Sequence, residues 1–244
     1  MSSSNDPGMN VVEVWLRSIG SDSVDIAYAS APAKDGNLFI GGATRGSIGQ
    51  MSSSAQGSDA FLAKINSVDG SVVWATRLTG SRDDAIYAIA ADSAGGAYVA
   101  GYTWGDIQGI QNPSIGQSYP RQAFLANLNS AGSVTWIKVI GDNASNEMAT
   151  TVAVSSFGDV FVAGSTEAAL DQNTQFGQND TFISKYNSNG SRLWTKLIGS
   201  YAQDIPYALA TTLDGSVLVG GRTGGAFGGE THSGGTQPEG FVTK

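Results

Sequence analysis

Short runs in which apolar and polar residues alternate recur along the chain, and clusters of Gly, Asp, Asn and Ser separate them. Alternation with a period of two predicts β-strands that bury one face, and the clusters predict tight turns. One run returns four times, as VEVWLRSIGS, SVVWATRLTGS, SVTWIKVIGD and SRLWTKLIGS. Its tryptophans, Trp15, Trp74, Trp136 and Trp194, are spaced by 59, 62 and 58 residues. The chain therefore repeats one unit at a nearly fixed period.

Each unit contains three further runs in a constant order. The first run begins with Asp or Asn and continues with aromatic or small residues (DIAYAS, DAIYAIAAD, NEMATTVAV, DIPYALATT). The second run ends in Gly-x-Thr (LFIGGAT, AYVAGYT, VFVAGST, VLVGGRT). The third centres on Phe (DAFLAKIN, QAFLANLN, DTFISKYN, EGFVTK). Four short strands joined by tight turns form an up-and-down meander, and such a unit at this period is typical of a β-propeller blade. The sequence therefore predicts an all-β fold.

The repeated strands W-x-K/R-x-I-G-S, D-x-x-Y-A, V-x-G-x-T and D-x-F-I/L-x-K-Y/I-N resemble the bacterial SBBP-type β-propeller repeat. The resemblance extends over nearly the whole chain. It implies a propeller architecture and a place in a large surface or secreted bacterial protein. It implies no particular activity, because proteins with this repeat have diverse roles.

We predict an N-terminal tail and a single propeller domain. The first strand of the domain is a Trp strand and the last is a Phe strand. Residues 11–19 could therefore pair with residues 240–244 and complete the sheet that the last three strands form. This pairing would close a propeller of four four-stranded blades, and the alternative is a fragment of a larger propeller. The predicted boundaries are 1–10 for the tail and 11–244 for the domain, with repeats at approximately 11–70, 71–132, 133–190 and 191–244.

The composition of the chain disfavours some classes of partner and excludes some kinds of functional site. The formal net charge of −8 disfavours nucleic acid, because phosphate binding needs a basic surface. The absence of cysteine excludes disulfides, thiolate catalysis and cysteine metal sites. No apolar run is long enough to span a bilayer. We expect an extracellular or cell-surface location, although no Sec signal is visible in this chain and a cytosolic location stays open.

Acidic residues are concentrated in the loops that would surround one face of the propeller. Asp25, Asp84, Asn146 and Asp204 occupy similar positions before or at the start of the first strand in the four units. If they converge near the channel mouth, their oxygens form the kind of donor set that Ca²⁺ prefers. These residues are the candidate metal ligands, and Ca²⁺ is the candidate cofactor.

The long loops after the Gly-x-Thr strands differ most among the units, and the second is rich in aromatic residues. Aromatic side chains beside an arginine are typical hot spots of protein interfaces, and a glycan is the other partner class that this loop could bind. The alternative is that the aromatics fold back over their own blade. The candidate ligand-binding residues are Tyr102, Trp104, Tyr119 and Arg121, with Arg45 and Arg222 as further cations on the same predicted face.

Signals for an enzyme are few. The single histidine, His232, lies in a Gly-rich loop, and neither a Gly-x-Ser-x-Gly motif nor a phosphate-binding loop occurs. The sequence favours a non-catalytic binding or structural module with a protein or glycan partner. Two alternatives stay open: an enzyme with a metal-assisted site at the acidic channel mouth, and a spacer or self-assembling subunit.

Overall fold

The computed structural model describes residues 15–48, 57–110, 120–141, 145–235 and 237–244. Within these ranges all regular secondary structure is β, and the described part of the chain contains no helix long and apolar enough to cross a membrane. The strands are β1 Asp25–Pro32, β2 Leu38–Thr44, β3 Asp59–Ile65, β4 Val72–Leu78, β5 Asp84–Ala91, β6 Ala97–Thr103, β7 Gln122–Leu128, β8 Val134–Ile140, β9 Glu147–Val154, β10 Val160–Thr166, β11 Asp180–Tyr186, β12 Arg192–Ile198, β13 Asp204–Thr211, β14 Val217–Thr223 and β15 Glu239–Thr243.

The strands form four antiparallel meanders, and each of the first three combines three strands of one sequence unit with the Trp strand that begins the next unit. Sheet 1 is β1–β4, sheet 2 is β5–β8, sheet 3 is β9–β12 and sheet 4 is β13–β15. The first strand of each sheet packs against the preceding sheet: β5 on β1–β3, β9 on β5–β7, and β13 on β9–β11. The predicted all-β class and repeated meander are therefore confirmed.

The alternation of side chains along the third strands explains this packing. In β3, Leu62 faces sheet 2 in a buried cluster with Phe39 and Ile86, whereas its neighbour Phe61 lies in a separate cluster on the opposite face. Both side chains are almost completely buried. Because the third strands of sheets 1 to 3 are buried on both faces, each of these sheets packs its third strand against other parts of the chain on both sides.

The repeated tryptophan joins one sheet to the next. The indole of Trp74 on β4 donates a hydrogen bond of 3.1 Å to the carbonyl of Ser130, in the β7–β8 turn of sheet 2. Gly132 in that turn has φ +82°, and a Cβ there would lie 2.7 Å from the Trp74 ring. Trp136 makes the same 3.1 Å bond to the carbonyl of Ser188 in sheet 3. In these two copies the Trp strand docks on the sheet that follows it.

The predicted closure of the propeller is not found. Residues 11–14 lie outside the described residues, and residues 15–20 form no strand. Among the described residues β15 pairs with β14 alone, and no packing like that between neighbouring sheets joins sheet 4 to sheet 1. Instead, Trp15 donates a 2.9 Å hydrogen bond to the carbonyl of Ser67 on sheet 1.

Candidate binding surface

The first strand of every sheet carries a β-bulge at the same position. The register of β1 against β2 skips Tyr28, and that of β5 against β6 skips Tyr87. Thr150 and Tyr207 occupy the bulges of β9 and β13. A bulge leaves one residue unpaired and changes the direction of its side chain. The rings of Tyr28 and Tyr87 consequently stack across the boundary between sheets 1 and 2, with centroids 4.6 Å apart and planes inclined by 23°.

Three of the candidate ligand-binding residues extend this stack. The ring of Tyr102 on β6 lies 5.7 Å from that of Tyr87. The guanidinium carbon of Arg121 lies 5.6 Å from the ring centroid of Tyr102 and 6.0 Å from that of Trp104, distances at which a cation and a ring attract each other. We call Tyr28, Tyr87, Tyr102, Trp104 and Arg121 the aromatic–arginine cluster. It combines residues of two sheets.

The arginine of this cluster is not neutralised by a carboxylate in the described parts of the chain. Its Nη1 lies 3.9 Å from the Sδ of Met148, which is a weak acceptor. Among the described residues its Nε has no hydrogen-bond acceptor. A cation held on aromatic faces in this way keeps its capacity to pair with an acceptor on a partner.

Tyr87 and Tyr102 stay uncharged at physiological pH. Burial raises the pKa of Tyr87 to about 12, and the neighbouring Tyr102 and Tyr28 add to the shift. Burial also raises the pKa of Tyr102. Tyr28 is 42% exposed and Trp104 is 37% exposed, so the surface presents neutral aromatic area to solvent beside one positive charge.

An open cleft of about 400 Å³ adjoins the cluster at Trp104. Its other lining residues include Ser81, Arg82 and Asp83. The carboxylate of Asp83 accepts hydrogen bonds from the Ser58 backbone, at 2.7 Å, and from the Ser58 hydroxyl, at 2.9 Å, and the backbone bond is the main cause of its lowered pKa. This ionised group gives the cleft a negative charge close to the aromatic rings.

The other candidate ligand-binding residues are distributed differently. Arg45 is exposed and lies 3.9 Å from Asp83, so it belongs to the rim of the cleft. Arg222 lies on β14 of sheet 4, beyond sheet 3 from the cluster, where it pairs in register with Ile205 and Gly240. Tyr119 lies outside the described residues.

The candidate metal ligands are positioned on four different sheets. Asp25, Asp84 and Asp204 begin β1, β5 and β13, and each is in register with a threonine of its own sheet. In β9 the residue equivalent to these aspartates is Glu147, which pairs in register with Thr166. The candidate Asn146 therefore lies one residue before the equivalent position. Within the described ranges no group of three or more His, Asp or Glu side chains is placed to hold a metal ion.

Local hydrogen bonds engage most of these candidates. Asp25 accepts bonds from the backbone and hydroxyl of Ser21, at 2.6 and 2.8 Å, and from the hydroxyl of Thr44. Asp204 accepts a 2.6 Å bond from the backbone of Ser200 and two of 3.0 Å from its hydroxyl. Asn146 accepts a 3.1 Å bond from the Arg121 backbone. It therefore supports the strand entry beside the aromatic–arginine cluster.

Asp84 is completely buried between sheets 1 and 2, and it differs from Asp25 and Asp204 in its hydrogen bonding. Among the described residues neither of its carboxylate oxygens accepts a hydrogen bond of normal geometry. Burial raises its pKa to about 8; the nearby Thr103 hydroxyl opposes the shift, and the charges of Asp59 and Asp83 add to it. The group is therefore mainly protonated at neutral pH.

Comparison with known protein families agrees with the repeat seen in sequence and structure. Residues 73–108 match the sequence model of the SBBP family, described as a beta-propeller repeat. The chain contains an SBBP repeat. The matched segment runs from β4 through β5 and β6 to the cleft beside Trp104, so this SBBP repeat contributes Tyr87, Tyr102 and Trp104 to the cluster.

Two individual proteins are similar to parts of the chain. The regulatory protein FlaEY of Caulobacter vibrioides is 31% identical over 128 residues, which is 48% of this chain and 13% of that protein. The crystal structure of quinohemoprotein alcohol dehydrogenase from Comamonas testosteroni matches 86% of this chain and 34% of its own, with a TM-score of 0.43 and 11% identity. This structural similarity is too low to bear on fold or activity. The chain spans only a small part of the length of either protein.

Sequence reasoning found Tyr102, Trp104 and Arg121 but missed Tyr28 and Tyr87. A signal for them was present, because the first strands read DIAY, DAIY and DIPY in three of the four units. In a regular strand, the side chain of this tyrosine would be expected to lie on one face of its own sheet. The bulge changes the direction of the side chain, and no residue in the strand predicts the bulge.

Proposed function

We propose that this chain is a non-catalytic binding module that engages a protein partner through the aromatic–arginine cluster. The observation that carries the proposal is the cation of Arg121 held against the rings of Tyr102 and Trp104, beside the stacked pair Tyr28 and Tyr87. Tyr, Trp and Arg are the residues most enriched at the energetic centres of protein interfaces.

Rigidity of the scaffold supports this proposal. The cluster stands on β1, β5 and β6, at the end of β6 and at the start of β7, and β5, β6 and β7 lie in buried parts of sheet 2. Side chains fixed in this way lose little conformational entropy on binding. The resemblance to surface and secreted proteins leads us to propose an extracellular or cell-surface setting. The Caulobacter relative is named a regulatory protein, which agrees with a binding role.

A peptide library displayed on phage and a glycan array, both applied to the 244-residue chain, test the proposal. We expect enriched peptides whose affinity falls at least tenfold in Tyr28→Ala and Trp104→Ala. A loss of this size is about 1.4 kcal/mol, more than the truncation of most interface residues costs. Tyr207→Ala is the matched control, because this tyrosine occupies the equivalent bulge of sheet 4 and is 60% exposed.

Two results would contradict the proposal. If the enriched peptides bind Tyr28→Ala and Trp104→Ala as tightly as the original chain, the cluster is not the binding surface. If glycans bind and no peptide is enriched, the partner class is wrong and the surface is a glycan site.

A further inference from the structure

One apolar position in the third strands is buried in three sheets and exposed in the fourth. Leu62, Leu125 and Ile183 lie at this position in sheets 1 to 3 and are 0%, 0% and 7% exposed. Their counterpart in sheet 4 is Val242, which is 76% exposed. The difference arises because a following sheet and a fourth strand cover the first three, whereas neither covers Val242 among the described residues.

A second position shows a similar contrast at the other end of the chain, and it is occupied by Leu16, Ala75, Ile137 and Thr195. Leu16 follows Trp15 as Ile137 follows Trp136 and Thr195 follows Trp194. Ile137 and Thr195 are 6% and 8% exposed, because each lies in a fourth strand paired with the third strand of its own sheet. Leu16 is 84% exposed.

The segment 15–20 already lies where the fourth strand of a preceding sheet would lie. Trp15 makes the same bond to the β3–β4 turn of sheet 1 that Trp74 makes to the β7–β8 turn of sheet 2. Arg17 adds a 3.1 Å bond to the carbonyl of Asp69, as Thr76 bonds to the carbonyl of Gly132. Sheet 1 therefore carries a docked segment that no described strand accompanies.

Sheet 1 also has space for further strands beside this segment. An apolar groove of about 280 Å³ lies on its back face, lined by residues that include Trp15, Ile19, Leu38, Ile40 and Phe61. In sheets 2, 3 and 4 the corresponding face is covered by the preceding sheet.

We propose that sheet 4 of one copy binds sheet 1 and segment 15–20 of a second copy, head to tail. The segment becomes the fourth strand of sheet 4, and the back face of sheet 1 covers Val242. The contact continues the sheet-to-sheet packing that already occurs three times within the chain. It buries Leu16 and Val242 at the positions where their counterparts are buried.

The established registers fix the expected pairing. Leu125 pairs with Lys138 and Ile183 with Lys196, so Val242 is expected to pair with Arg17 of the second copy. The next pair along the strands is Ser184 with Thr195, whose hydroxyl oxygens are 2.8 Å apart. Its equivalent in the proposed contact is Thr243 with Leu16.

Because this contact uses two different surfaces, it repeats from copy to copy. It gives a closed ring if the rotation closes and an open filament if it does not. A closed dimer, in which both contacts form, would hold eight sheets that all have a fourth strand, whereas an open dimer with one contact would have seven such sheets.

Thiol cross-linking tests the pairing directly, since the chain has no cysteine. In Leu16→Cys/Thr243→Cys we expect oxidation to give covalent dimers or larger species, because facing residues on neighbouring strands lie within reach of a disulfide. The control is Leu16→Cys/Val73→Cys, since Val73 is an exposed residue of β4 outside both contact surfaces. A cross-link only within one chain would overturn the proposal in favour of closure by a single copy.

Sedimentation of the unmodified chain over about 1–300 µM gives the second test, and the expected result is reversible self-association. Val242→Lys, which places a second cation opposite Arg17, and Arg17→Glu should each weaken it at least tenfold, and Val73→Lys should not. An equimolar mixture of Val242→Lys and Arg17→Glu should associate again, because each variant retains the surface that the other lacks. A monomer at all concentrations, or a mixture that stays monomeric, would contradict the proposal. Peptide binding by the aromatic–arginine cluster is measured separately and does not depend on this result.

Discussion

Replacing the buried Asp84 by asparagine is expected to change how stability depends on pH. In the folded chain its pKa is raised from 3.8 to about 8 by burial. At a pH between these two pKa values, the Asp84 carboxyl is ionised in the unfolded chain and protonated in the folded chain. Stability therefore falls as pH rises through this interval, with an ideal slope of about 1.4 kcal/mol per pH unit for one proton. The side-chain amide of the variant Asp84→Asn does not titrate, so the variant loses this contribution.

The magnitude follows from the same shift. Between pH 5 and 7 the stability of Asp84→Asn relative to the original chain should rise by about 3 kcal/mol, since two pH units each contribute about 1.4 kcal/mol. Urea unfolding followed by tryptophan fluorescence at pH 5, 6 and 7 measures this difference. Parallel pH profiles for the two chains would refute the assignment of a buried, protonated carboxyl to this position.

Asp25→Asn is the matched control, because Asp25 occupies the same position in sheet 1. Partial burial tends to raise its pKa, but hydrogen bonds from Thr44 and Ser21 outweigh burial and hold the pKa below its usual value. Its contribution to stability is present above pH ~4 and is lost as pH falls through the lower folded pKa. Asp25→Asn should therefore destabilise the chain by an amount that does not vary between pH 5 and 7.

Three further predictions concern the sheet contacts, the binding surface and cations. Gly132→Ala should lower the melting temperature more than Gly36→Ala, because both glycines have positive φ but only at Gly132 would a Cβ meet Trp74. Equal decreases in melting temperature would contradict the packing role of that ring. Arg121→Lys should weaken binding of a selected peptide about tenfold at unchanged melting temperature, since lysine keeps the charge but not the planar group; unchanged affinity would contradict its role. Millimolar Ca²⁺ should raise the melting temperature more than Na⁺ of equal ionic strength if the acidic loops bind it, and equal shifts would remove that hypothesis.

The repeated strands and turns could be predicted from the sequence because they depend on local chemistry. Period-two alternation and turn glycines fixed the strand order in all four units, and the tryptophan spacing revealed the repeat. The closure of the ring could not be predicted in this way. Complementary strands such as VEVWLRSI and EGFVTK show that two segments can pair, but the rotation between successive sheets decides whether they meet.

The site was predictable only in part, for similar reasons. Tyr102, Trp104 and Arg121 could be found because they stand out in one loop and the adjoining strand. Tyr28 and Tyr87 are in contact because both lie at bulges and because sheets 1 and 2 pack together. Neither feature can be predicted from the composition of the chain. Glu147, rather than Asn146, begins its first strand because the connection before it is one residue longer than the one before Asp25 or Asp204.

Hydrogen–deuterium exchange of the chain with and without a selected peptide tests the central claim most directly, because it locates the bound partner on the fold. The account predicts slower exchange in the strand segments that carry the aromatic–arginine cluster: 26–30, 85–89, 100–104 and 120–124. Protection confined to the edge of sheet 4, at 239–243, with no change in those four segments, would contradict it.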